Sequence, residues 1–162
     1  MPKLSFDEIE WTGGDMGHWQ LAEGVEMHPY VPLGFVYKIT RKSDGKFYIG
    51  QKKVTRLERK PPLKGKVRKR VVVKQTDWRT YNGSSGLLNL DIVSRGADEF
   101  TFEIIKFVDT KWELSYWELK YQMDYDVMFR NDTYNGIINV RLAKFQKFVD
   151  KYQNENAIKM KK

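Results

Sequence analysis

The sequence predicts one mixed α/β domain of the α+β kind, and three observations predict it. Its 162 residues, 41% hydrophobic and 14% aromatic, suffice for one compact core and are too few for two ordinary domains. Alternating apolar residues flank a tight turn at Asp44-Gly45, the mark of a β-hairpin. Beyond residue 80 the periodicity changes from helical to extended and back to helical.

In residues 1–32, Gly13-Gly14, Gly17, Gly24, Pro29 and Pro32 break any periodicity, so this stretch reads as an irregular N-terminal extension. From Leu33 to Arg41 the alternation puts Phe35, Tyr37 and Ile39 on one face. The chain turns at Ser43-Asp44-Gly45 and returns through Lys46 to Gly50. In residues 51–75, Val71-Val72-Val73 follows Pro61-Pro62-Leu63-Lys64-Gly65, which predicts an inserted β-ribbon or long loop rather than a helix. A helix is predicted between Ser84 and Ser94, ended by Gly96, and an apolar strand from Phe100 to Val108. Thr110 and Glu113 form a capping box for the next helix, whose buried stripe is Leu114, Trp117, Tyr121, Tyr125 and Met128. After turns at Asn131-Asp132 and Asn135-Gly136, Leu142, Phe145, Phe148 or Val149, and Tyr152 define a last amphipathic helix before a lysine-rich tail. The chain thus divides into an extension at 1–32, a domain at 33–140 carrying the insertion 51–75, and a C-terminal helix with basic tail at 141–162.

Charge is distributed unevenly. Residues 51–75 hold Lys52, Lys53, Arg56, Arg59, Lys60, Lys64, Lys66, Arg68, Lys69, Arg70 and Lys74 against the single acid Glu58. This segment carries +10 in a chain of net charge +8, so the remainder sums to −2. Like charges so concentrated repel one another, and a phosphate backbone relieves the repulsion by releasing counterions, which makes nucleic acid the natural partner. Charge alone does not choose DNA over RNA. No apolar run approaches the roughly 18 residues of a membrane span, and the N-terminus lacks the build of a secretory signal, so the expectation is an intracellular, cytoplasmic protein. Cysteine is absent, which excludes disulfides and thiolate metal sites. His18 and His28 stand apart from clustered acids and do not compose a tetrahedral site.

Gly34-Phe35-Val36-Tyr37 and Phe47-Tyr48-Ile49-Gly50 place two tyrosines eleven positions apart on the hairpin. This pattern resembles the signature of the GIY-YIG nucleases, here over roughly residues 33 to 140, although Phe35-Val36 departs from the family's Gly-Ile. The resemblance implies a small, mainly antiparallel three-stranded sheet flanked by helices, in a stand-alone endonuclease domain of phage or bacterial type. It also implies an arginine at a helix start, a metal-binding glutamate on a later helix and an asparagine beyond. Glu118, in Ser115-Tyr116-Trp117-Glu118-Leu119, matches the glutamate. Arg79, 39 positions before it, is favoured for the arginine, with Arg56 and Arg59 as alternatives at shorter range. Asn135, in Tyr134-Asn135-Gly136, fits better than Asn131 or Asn139.

The residue types suit phosphodiester hydrolysis, which needs an activated water, countercharge for the phosphoryl oxygens and neutralisation of the departing 3′ oxygen. On the family reading Tyr37 helps deprotonate the water and Tyr48 hydrogen-bonds nearby groups. A phenol is a poor base at neutral pH, so cationic neighbours such as Lys52 or Lys53 and a metal must favour the phenolate. Arg79 clamps the scissile phosphate, Glu118 holds one Mg²⁺ or Mn²⁺, and Gly50 lets backbone approach substrate. Arg56, Arg59, Lys60, Lys64, Lys66, Arg68, Lys69, Arg70 and Lys74 supply DNA affinity. With one site per chain, a double-strand break requires a homodimer or two successive nicks. The competing reading is a non-catalytic nucleic-acid-binding protein that keeps the nuclease fold.

Overall fold

The computed structural model describes residue 11 and residues 15–160, with side chains as far as residue 155. The Gly13-Gly14 break and the end of the basic tail, Lys161-Lys162, lie outside the described residues. The order of elements is β1 (Gln20–Leu21), β2 (Gly34–Arg41), β3 (Phe47–Lys53), β4 (Thr55–Lys60), β5 (Arg70–Gln75), α1 (Gly86–Arg95), β6 (Phe100–Val108), α2 (Lys111–Asp124) and α3 (Gln146–Met160). A mixed α/β architecture follows, with a four-stranded sheet ordered β1-β6-β2-β3 and a separate β4-β5 ribbon.

Three of the four strands, β6-β2-β3, pair antiparallel through the central β2 and form the sheet expected from the sequence. The fourth is new. β1 pairs parallel to β6 over two residues, and it comes from the stretch read as irregular. The break in periodicity concealed it, because a two-residue strand is too short for alternation to register. This stretch is also held by its tryptophans: Trp19 Nε1 donates to the Trp78 carbonyl at 2.6 Å, and Trp11 Nε1 to that of His28 at 2.7 Å.

The β2-β3 turn forms where expected. Arg41 grips the Asp44 carboxylate, and Gly45 takes a left-handed φ of 78° that side chains rarely adopt. Ser85 caps α1 by accepting from Leu88 N, and Gly96 closes it. Helix α2 opens on Thr110, whose hydroxyl accepts from Glu113 N and donates to the Glu113 carboxylate at 2.9 Å. Its predicted stripe is shorter than expected. Asp126 adopts a left-handed φ of 52°, so the helix stops at Asp124 and Met128 is left exposed. The last helix likewise begins at Gln146, leaving Leu142 and the half-exposed Phe145 ahead of it.

The sheet separates two cores. On one face Phe35, Tyr37, Ile39, Phe102 and Ile104 meet Trp19, Trp78, Leu88 and Ile92. On the other Val36, Phe47, Ile49 and Val108 meet Leu114 and Val127. The alternation along β2 assigns its side chains to these two layers. The outer edge of β3 is covered by the chain after α2: Phe47 N donates to the Asp132 carbonyl and Tyr134 N to the Phe47 carbonyl.

Helix α3 is fastened to α2 through Glu113. Its carboxylate accepts from Lys151 Nζ at 2.8 Å and from the Tyr152 hydroxyl at 2.6 Å, and Trp117 Nε1 donates to that hydroxyl. Burial pushes the Glu113 pKa up, but the bonds from Lys151, Tyr152 and Thr110 outweigh it and hold the carboxyl below its ordinary range. Because the folded pKa is depressed, this contribution is full above the ordinary value of 4.5 and disappears as pH falls through the folded value. Glu113→Gln should therefore cost about 2 kcal/mol at neutral pH and much less near pH 3, as read by thermal melts at the two pH values.

Candidate active site

Tyr37 stands directly opposite Gly50 across the β2-β3 pairing, and Tyr48 projects from the same face two residues earlier. That register sets the eleven-residue spacing and leaves the two rings 6.1 Å apart. A methyl group at Gly50 would lie 2.7 Å from Tyr37 Cζ and 2.8 Å from Tyr48 Cε1, so no side chain fits there. Gly83 closes over the same pair: a methyl there would come 3.3 Å from the Tyr37 hydroxyl, and its φ of 89° again suits glycine.

The two phenols differ in access. Tyr37 is fully buried, with its hydroxyl lacking a hydrogen-bond partner, and burial first, then the neighbouring Tyr48, Tyr81 and Glu118, raises its pKa well above the ordinary value. Tyr48 reaches a cavity and shares a 2.9 Å hydrogen bond with Ser84 Oγ. Its pKa is also raised by burial, with the Ser84 bond opposing. The Tyr37 hydroxyl, which the resemblance turns toward the attacking water, lies behind Gly50, Gly83 and the Tyr48 ring and does not line the cavity.

The cavity, about 860 Å³ and open to solvent, lies at the β3 edge where the two faces of the sheet meet. Tyr48, Gln51 and Ser84 line it with Glu118 and Gln122 of α2, and Leu87, Leu90 and Ile137 add apolar wall. Glu118 makes no ion pair or side-chain hydrogen bond among the described residues, and burial alone pushes its pKa up to about 7. Gln122, one helical turn further on, donates from Nε2 to the Ile49 carbonyl at 3.2 Å, and its buried Oε1 has no partner. A bare carboxylate beside a free amide oxygen fits a hard divalent cation. No cluster of three or more His, Cys, Asp or Glu occurs among the described residues, so most of such an ion's shell would be water and substrate phosphate.

Asn135 also lines the cavity, yet its amide is engaged. Oδ1 accepts from Ile49 N at 3.0 Å and Nδ2 donates to the Ile49 carbonyl at 2.8 Å, so the side chain pairs with β3 as a neighbouring strand would. Arg79 is not brought to the cavity. Its Nε donates to the Asp15 carbonyl at 2.7 Å, Nη1 binds Gln75 Oε1, and the guanidinium lies over the Trp78 ring at 4.6 Å. Lys52 binds Asp77 at 2.6 Å and lies over the Tyr81 ring, while Lys53 and Arg56 line a different cavity at the foot of the ribbon. Arg59, Lys60, Arg70 and Lys74 lie on the ribbon strands, with Lys64, Lys66, Arg68 and Lys69 in the loop between them. Among the described residues no arginine or lysine lines the Tyr48-Glu118 cavity.

Sequence reasoning missed Ser84, Gly83 and Gln122. Gln122 was readable, four positions after Glu118 and so on the same side of the helix. Ser84 carries no such signal, being 36 positions from the Tyr48 it bonds.

Among the described residues no helix is long and apolar enough to cross a membrane. The family model described as "Putative endonuclease segE, GIY-YIG domain" matches residues 19–138 of the chain. Searches of curated proteins and of solved structures matched nothing.

If Asn135 serves as a strand substitute, Asn135→Ala should lower stability by about 2 kcal/mol, since two backbone groups of Ile49 lose their partner. Urea denaturation would measure the loss, and a change within error would show that Gln122 and water suffice.

Proposed function

The chain belongs to the segE GIY-YIG endonuclease family, and from that premise we propose that it is a metal-dependent DNA endonuclease hydrolysing phosphodiester bonds with one divalent ion held at Glu118. The observation that carries this reading is the convergence of Tyr48 and the unpartnered Glu118 carboxylate on one open cavity from opposite sides of the β3 edge.

A bound Mg²⁺ or Mn²⁺ would neutralise charge on the phosphate and ease departure of the 3′ oxygen. The protein's own part begins with Glu118, whose carboxyl must release its proton before it can hold such an ion. The free Oε1 of Gln122 offers a second oxygen on the same helix. Tyr48 takes the water-facing role that the family resemblance gave to Tyr37, because its hydroxyl reaches the cavity and Ser84 fixes its direction. Tyr37, wedged behind Gly50, positions the Tyr48 ring. The backbone at Gly50 lets substrate approach without a side chain in the way. Arg79 would reach a phosphate only after releasing Asp15 and Gln75.

A second reading, a nucleic-acid-binding protein with this fold and no cleavage, is favoured by the engagement of Arg79 with Asp15 and Gln75, away from the cavity. Supercoiled plasmid separates the two. Wild type should give nicked or linear product with Mg²⁺ and none with chelator, and Glu118→Ala should lose about 100-fold or more of that activity while binding DNA normally. Tight binding with no cleavage of varied DNA substrates would establish the second reading.

A pH profile adds a test. The Glu118 carboxyl is protonated below about 7 without metal, so at subsaturating Mg²⁺ cleavage should rise as pH increases through that value. A profile flat between pH 6 and 8 would show that the Glu118 carboxyl is already ionised there, leaving its ligand role to the Glu118→Ala comparison.

A further inference from the structure

The β4-β5 ribbon has two chemically different faces. Residues directly opposite one another in an antiparallel pair share a face. Arg56 opposite Lys74, Glu58 opposite Val72, and Lys60 opposite Arg70 make one; Thr55 opposite Gln75, Leu57 opposite Val73, and Arg59 opposite Val71 make the other. The second carries Arg59 as its one charge, and its Leu57 and Val73 share a cavity with Val31, Pro32 and Leu33 of the body, which Arg56 of the first face also borders. The first carries four cations and a single acid. Arg56 and Lys74 both lean on Glu58, at 3.9 Å and 3.0 Å, while Lys60 and Arg70 meet no acid among the described residues.

Such a face is costly without a partner. Two cross-strand pairs set like charges side by side, which opposes the pairing that forms the ribbon. Its dimensions indicate what relieves the strain. Two strands about 4.8 Å apart, with their side chains, fill a groove about 12 Å wide, which is the major groove of B-form DNA. Six residues per strand span about 20 Å along it. The connecting loop, with Lys64, Lys66, Arg68 and Lys69 exposed at the tip, can then meet the flanking phosphates.

We infer that the ribbon is the sequence-reading element of the endonuclease, inserted in the major groove with Arg56, Lys60, Arg70 and Lys74 toward the base edges. This rests on the DNA-endonuclease reading above. The arginine forks match guanine O6 and N7, whereas the tip lysines contact phosphate without reading bases. The deep, narrow major groove of duplex RNA excludes the ribbon.

The test measures binding alone, using Glu118→Ala protein in chelator, so it stands whether or not the protein cleaves. At matched salt, DNA duplexes should bind about tenfold or more tighter than RNA duplexes of the same sequence. Selection from random-sequence DNA duplexes should enrich guanine-containing sites. Arg56→Gln with Arg70→Gln should abolish the enrichment. Lys64→Gln with Lys69→Gln removes equal charge at the tip and should keep the enrichment while flattening the salt dependence. Arg56→Lys with Arg70→Lys keeps charge and fold but loses the fork, so it should bind nearly as tightly and enrich weakly. Equal affinity for RNA and DNA, no enrichment by the parent protein, or enrichment unchanged in both arginine variants would overturn the inference.

Discussion

The pairing of Tyr37 with Gly50 across β2 and β3 is the constraint from which the rest of the site follows. It puts a buried phenol against a position in the hairpin that must lack a side chain, and it places Tyr48 on the same face. A one-residue slip of β2 would send Tyr37 to the opposite layer and Val36 to its place, and a slip of β3 would do the same to Tyr48 and Ile49. The two separate cores oppose such a slip, because each face of β2 is committed to a different set of partners. The register thus sets packing and chemistry together.

The cavity owes its position to the sheet's order. With β3 at the border, side chains from one layer and from α2 in the other meet around a single strand. Ile49 is held there by two amides, Asn135 and Gln122, converging on its carbonyl. The Gln122 orientation follows: Nε2 faces the carbonyl, so Oε1 is the atom left without a partner. Rigid backbone and free oxygen are two results of one arrangement.

Most of the fold was legible because it rests on local signals. The Asp44-Gly45 turn, the Thr110 cap, the Gly96 helix stop and the apolar run from Phe100 to Val108 are each decided within a few residues, and each forms where the pattern put it. What escaped reading depends on distant partners. β1 exists because β6 offers it an edge, and α2 ends early because Asp126 adopts a left-handed conformation that its neighbours do not announce. The candidate site divides along the same line. Of the residues the resemblance singled out, Tyr48, Glu118 and Asn135 line the cavity. Arg79 is engaged instead by Asp15, 64 positions away, and Asn135 is drawn to Ile49, 86 positions away. Spacing carries no information on contacts of that range.

The way the sheet ends also limits how two copies of the chain can meet. One border is a two-residue strand, too short to template another. The other is occupied along Phe47 to Ile49 by Asp132, Tyr134 and the Asn135 amide, which use the outward backbone groups that an incoming strand would need. Along Phe47 to Ile49 an incoming strand therefore finds no free backbone groups. Copies acting on opposite DNA strands would therefore not pair through this stretch of β3, and the Tyr48 cavity beside it stays open to substrate.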